Sequence, residues 1–111
     1  MDETIEIEES SGNVFADLGF PNPEEHLLKA ELALQIGKAI SRHCYTQTEA
    51  AARMGIDQPK VSKLIRGHLR DFSVDRLLRF LNALDQDIEI VIREKPKTRK
   101  KATLTVSQVS L

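Results

Sequence analysis

Apolar positions recur along this chain at two periods, and the change of period divides it into elements. Leu28, Leu32, Ile36 and then Ala39 or Ile40 return every three to four residues, the spacing of one helical face. Asn22 stands where an N-cap belongs, Pro23 takes the first helical position, and Glu24 and Glu25 place carboxylates at the positive end of the helix dipole. The pattern predicts a helix from Pro23 to about His43. Leu27 and Leu34 fall off the stripe, so the apolar surface is broader than one packing face requires. A second group, Ala50, Ala51 and Met54, follows Thr46 and Glu49, which have the Thr-x-x-Glu spacing of a capping box. Gly55 ends that helix, and Asp57 caps another with Pro59 in its first turn. Val61, Leu64 and Ile65 are expected inward, and Gly67 closes the element. Residues 69–72 read as a connecting loop. Ser73 then caps a last helix, Val74 to about Leu84, with Leu77, Leu78, Leu81 and Leu84 on one face and Phe80 beside them.

Beyond Asp85-Gln86-Asp87 the period drops to two. Ile88-Glu89-Ile90-Val91-Ile92-Arg93 alternates as a strand does, and Thr4-Ile5-Glu6-Ile7-Glu8 does so more briefly. One strand on a helical domain leaves its hydrogen-bonding edges open. Its partner is either Thr4–Glu8 of the same chain or the same strand of a second copy, which would create a two-fold axis. The fold expected is all-α, a compact four- to five-helix domain with a C-terminal β-strand that dimerises through Ile88, Ile90 and Ile92.

The stretch from Thr46 to Gly67 is the densest in meaning. Two short helices, a glycine turn and small Ala51 at the crossing describe a helix-turn-helix. Its second helix keeps Gln58, Lys60, Ser62, Lys63 and Arg66 outward, a set able to contact base edges and phosphates. Gln47, at the start of the first helix, is placed to touch the backbone of a duplex. Gln58 and Ser62 are expected on bases, with Lys63 and Arg66 on bases or flanking phosphate.

Charge sharpens this reading. The chain is almost neutral, at −1. Yet residues 1–31 carry nine acids against Lys29 alone, a net −8, and the remainder carries 15 bases and 8 acids, a net +7. The C-terminal part can approach nucleic acid, whereas the N-terminal part repels it and suits a basic partner. Three regions result: an acidic segment 1–22, a domain 23–94 and a basic tail 95–111, expected to be disordered. The acidic segment also holds Val14, Phe15, Leu18 and Phe20, which either pack on the first helix or await a partner. The tail begins Lys-Pro-Lys-Thr-Arg-Lys-Lys, and two readings of it stay open, a phosphate-binding arm or a solubilising end.

Catalysis is not expected. His26, His43 and His68 fall in separate elements at no metal-ligand spacing, and no cofactor is indicated. Cys44, the single cysteine, neighbours His43, but adjacent helical residues point about 100° apart. It is expected to be a small buried hydrophobe. No apolar run is long enough for a membrane span, and the acidic start is unlike a signal peptide, so a reducing cytoplasm is expected.

TQTEAAARMGI and VSKLIRG resemble the lambda-repressor-like, Xre/Cro-like helix-turn-helix regulators. Taken with GNVFADLGF before the first helix, and with FSVDRLLRFLNAL and DIEIVIRE after the motif, the likeness narrows to the HigA-like antitoxins and covers about Gly12 to Arg93. That resemblance implies an autoregulating repressor that binds a palindromic operator in double-stranded DNA as a homodimer. It also implies a RelE/HigB-like toxin as partner, basic because its substrate is RNA. An orphan phage-type repressor with no toxin, and a protein inhibitor whose DNA binding is secondary, are the alternatives.

Overall fold

Local sequence and structure agree at the starts of the last three helices. The computed structural model describes residues 23–109, in which α1 (Pro23–Arg42), α2 (Gln47–Met54), α3 (Gln58–Ile65) and α4 (Val74–Ala83) follow in order. Thr46, Asp57 and Ser73 each adopt extended backbone and accept a hydrogen bond from the N–H three residues on, so α2, α3 and α4 all begin at a side-chain cap. At α1 the cap expected of Asn22 lies outside the described residues; Pro23, Glu24 and Glu25 occupy its first turn as the sequence suggests.

The exit from α1 corrects one expectation. Cys44 takes φ 59°, while its N–H bonds to the Ser41 carbonyl at 3.0 Å and the Tyr45 N–H reaches back to the Ile40 carbonyl at 3.1 Å. This left-handed turn satisfies the last carbonyls of the helix and swings the Cys44 side chain into solvent. The thiol is exposed, not buried.

The core draws on every helix. Leu32, Ile36, Ala39 and Ile40 of α1 meet Leu77, Phe80, Leu81 and the capping Leu84 of α4, while Ala50, Ala51 and Met54 of α2 and Val61 and Leu64 of α3 close over them. α1 packs chiefly on α4 and α2 on α3, making two layers. Leu28 and Leu78 are partly buried at the margin. Ile65, expected inward, is half exposed because the last turn of α3 has passed the edge of the core. Leu69 and Phe72 are fully buried although they belong to the α3–α4 connection, and the Phe72 ring meets Phe80 edge-on at 6.0 Å. Among the described residues no polar or charged side chain is buried.

The expected C-terminal strand is not there. Among the described residues no strand forms, and residues 87–96 have no regular structure. Ile90 and Ile92 are 76% and 91% exposed, and Ile88 and Val91 are exposed as well. Alternation specifies which side chains would share a face, but a ladder needs a second backbone beside it. None of the described backbone supplies one, and Thr4–Glu8 lies outside the described residues. The domain is therefore all-helical. Farther on, residues 97–101 turn back, and Val106 packs against the core beside α1. No described helix is long and apolar enough to cross a membrane.

Candidate nucleic-acid interface

The helix-turn-helix is assembled by short-range hydrogen bonds. Thr46 Oγ1 accepts from the Glu49 N–H at 3.0 Å, and Glu49 Oε1 accepts from the Thr46 N–H at 2.8 Å, completing the capping box. Such caps contribute about 0.5–2 kcal/mol each. Gly55 takes φ 74°, a left-handed conformation that costs any residue with a Cβ, and the Ile56 N–H bonds to the Ala51 carbonyl at 3.1 Å. Asp57 Oδ1 then receives the Lys60 N–H at 3.0 Å and α3 begins. Val61 and Leu64 are its buried anchors. Ala50 and Ala51, both buried, allow α2 and α3 to approach closely.

That anchoring decides what α3 presents. At about 100° per residue, the side opposite Val61 and Leu64 carries Ser62, Lys63 and Arg66, with Gln58 at its leading edge and Lys60 on the flank. Gln58, Lys60, Lys63 and Arg66 are exposed, and Ser62 is half-buried. Gln47, the first residue of α2, is joined to Gln58, the first of α3: Gln58 Nε2 donates to Gln47 Oε1. The structure thus brings together two residues singled out separately in the sequence. The bond leaves the Gln58 Oε1 and one of its N–H groups available, an acceptor and a donor side by side.

At the other end of α3 the Arg66 guanidinium folds back to the Ser62 carbonyl at 3.3 Å. Lys63 faces Asp71 of the α3–α4 connection at 3.8 Å, both half or more exposed. Lys63 and Asp71 line an open cleft of about 350 Å³ with His26, His68, Leu69 and Arg70. Asp71 and Arg70 were not legible as site residues, because only the path of the loop brings them beside α3. The buried pegs Leu69 and Phe72 fix that path. A clue existed in the large apolar residues within an otherwise polar connection.

The remaining expected site residues either follow α4 or lie outside the described residues. Ile88, Ile90 and Ile92 follow α4 in the chain and are exposed. Val14, Phe15, Leu18 and Phe20 lie outside the described residues.

Comparison with known proteins agrees with this geometry. A family described as "Helix-turn-helix domain" matches residues 14–93. A solved chain assigned to the XRE family of transcriptional regulators is 49% identical, with a TM-score of 0.76, over 80% of this chain and all of that one. A search among curated proteins gave no match. A shared fold at that identity, carried on a capped and glycine-hinged pair of helices, places the chain in the helix-turn-helix family of XRE-type transcriptional regulators, proteins that bind DNA.

Proposed function

We propose that this regulator is a sequence-specific repressor that lays α3 in the major groove and acts as a homodimer on a palindromic operator. The Gln47–Gln58 pair carries this reading. Adenine presents an acceptor at N7 and a donor at N6 in the major groove, and a glutamine amide matches both. Gln58, held by Gln47, offers that acceptor–donor pair in a fixed orientation. Ser62 lies one turn along α3 to meet the next base, while Lys60, Lys63 and Arg66 reach phosphates or a guanine edge. Gln58→Ala is expected to cost about 1–3 kcal/mol on the operator and to relax preference at one base pair. Gel-shift titrations against operators varied base by base test this; unchanged affinity and preference would remove Gln58 from the reading face.

Within that role, the protein is proposed to be the autoregulating antitoxin of a toxin–antitoxin pair. What supports this is the combination in residues 1–22 of six acids, no base, and the apolar Val14, Phe15, Leu18 and Phe20. A basic RNA-cleaving toxin with an apolar groove is the complement of such a segment. A chain beginning at Pro23 should keep its fold and operator binding yet fail to neutralise a toxin encoded beside it. Neutralisation retained by the shortened chain would leave the orphan repressor as the better description.

A further inference from the structure

The positive charge of the chain from Pro23 onward is concentrated beyond the helices. Residues 23–94 carry eleven acids and eleven bases, so the helical domain is formally neutral, and residues 95–111 add five bases and no acid. Those five, Lys95, Lys97, Arg99, Lys100 and Lys101, fall between residues 95 and 101, where the chain turns back. Two of them build the turn. Lys95 Nζ donates to the Arg99 and Pro96 carbonyls at 2.7 and 3.2 Å, and the Arg99 N–H bonds to the Pro96 carbonyl at 3.1 Å. Arg99 Nη1 donates onward to the Lys101 carbonyl at 3.2 Å and to Thr103 Oγ1 at 3.4 Å. Lys97, Lys100 and Lys101 are exposed.

The turn is tethered to the helix that the proposed DNA face adjoins. The Val106 N–H donates to Glu31 Oε1 at 3.2 Å, and Leu104 enters a cleft of about 80 Å³ with Glu24, Leu27, Leu28 and Glu31. On α1, Leu28 thus faces the tether, while His26 faces the cleft shared with Lys63. These two residues stand about 200° apart around the helix, so the tether and the end of α3 lie on opposite flanks of the same few turns. A helix is about 10–12 Å across with its side chains, and Lys101 is at most about 11 Å of chain from Leu104. The last cation of the turn therefore lies within about 25 Å of the His26 edge of the cleft, a span of about seven base-pair steps.

We propose that the turn 95–101 is a sequence-independent contact for the phosphodiester backbone of duplex DNA, at phosphates outside those met by α3. A duplex attracts protein chiefly through the cations that displace its counterions, and the neutral helical domain has no excess of them. The turn supplies that excess. Lys95 and Arg99 hold its backbone while Lys97, Lys100 and Lys101 stay exposed, so the array loses little backbone freedom on binding. Residues 95–111 contain no aromatic side chain to stack on an unpaired base, which favours a double strand over a single one. Leu104 and Val106, the large apolar residues nearest the turn, are directed to α1 and not to a lipid surface. The family match ends at residue 93, so the turn is an addition to the matched domain. The inference builds on the proposed reading of α3, to which the turn adds affinity without adding base preference.

The test uses the full chain and K97Q/K100Q/K101Q, which leaves the bonds of the turn in place. Binding is titrated by fluorescence anisotropy at several salt concentrations on duplexes of about 40 base pairs, one selected for tight binding and one of unrelated sequence. The slope of log affinity against log salt is expected to flatten by about 2–3 units per bound protomer in the variant, equally on both sequences. Slopes that agree within about half a unit overturn the inference. If the variant instead loses binding to vesicles of anionic phospholipid at an unchanged slope, the turn belongs to a membrane surface. A duplex of about 12 base pairs tells the two sources of phosphate apart. Wild type and variant sharing one slope there marks DNA flanking the α3 site, and two short duplexes held per protomer mark a neighbouring duplex. A difference that persists with one short duplex bound would place the turn inside the α3 footprint and overturn the separate contact. Gln58→Ala keeps the underlying reading distinct: it should reduce preference between the two sequences at the wild-type slope. A chain with no such preference, but with a flattened slope in the lysine variant, refutes the reading of α3 and leaves the turn as a phosphate contact.

Discussion

Asp71→Asn is the most informative single change at the proposed DNA face, because it removes a charge without removing a base contact. Lys63 sits 3.8 Å from Asp71 with the pair half or more exposed, so the ion pair contributes about 0.2–1 kcal/mol. A Lys63 that turns to a phosphate gives up that interaction, and freeing it should strengthen DNA binding by about 1.4- to 5-fold. Asp71 also repels the duplex directly. For a phosphate about 8 Å away the Coulomb term in water is about 0.5 kcal/mol, cut to about 0.2 kcal/mol by physiological salt. The two effects together amount to roughly 2- to 8-fold tighter binding on operator and non-operator DNA alike. Folding stability should change by less than about 0.5 kcal/mol, because the site is on the surface. Fluorescence anisotropy titrations of wild type, Asp71→Asn, Lys63→Ala and the double variant form the cycle that separates the terms. On the Lys63→Ala background only the direct repulsion remains, less than about 1.5-fold. Equal tightening on both backgrounds would show that Asp71 does not restrain Lys63. No tightening on either would place this end of α3 away from the phosphate backbone.

Two further outcomes test the core and the assembly. Phe72→Ala empties a fully buried ring site between α3 and α4 and should cost about 3–5 kcal/mol in urea unfolding; a cost below about 1 kcal/mol would show that Phe72 does not anchor the connection. If the proposed homodimer joins through the side chains of Ile88, Ile90 and Ile92 without a strand, Ile90→Lys should shift sedimentation toward monomer and lower operator affinity; sedimentation unchanged from wild type would place these side chains outside any dimer contact.

The helices were legible because their signals are local. Thr46 with Glu49, Asp57, Ser73 and Gly55 act within three or four residues of themselves, and each does in the structure what its position suggests. The stripe Leu32, Ile36, Ala39 and Ile40 was equally readable, since burial of one helical face leaves a periodic trace. Where the sequence misled, the deciding partner was distant. Ile88 to Ile92 alternates correctly for a strand, but no described backbone lies alongside to pair with it. Phe72 looked like loop because periodicity cannot register a peg between two helices. Cys44 looked buried from its place at the end of an apolar helix, until a left-handed turn carried it outward. The outward residues of α3 could be chosen once Val61 and Leu64 were assigned inward. The Gln47–Gln58 bond and the Lys63–Asp71 pair depend on how two elements dock, and neither leaves a pattern along the chain.

The division of labour along α3 bears on how such a protein can change its targets. Val61 and Leu64 hold the helix to the body, and Gln58, Lys63 and Arg66 contribute nothing to the core. Substitutions at the outward positions are therefore close to additive with the folding energetics, and if these positions read the operator as proposed, a lineage can sample new operators without crossing a stability threshold. Gln58 is the exception to that freedom. Because Gln47 holds its amide, an altered residue at 58 breaks a solvent-exposed bond between two helices and leaves the Gln47 carbonyl to water. On the proposed reading, in which Gln58 touches a base, a new preference at that position is more accessible to paired changes than to single ones, and 47 and 58 should vary together among descendants.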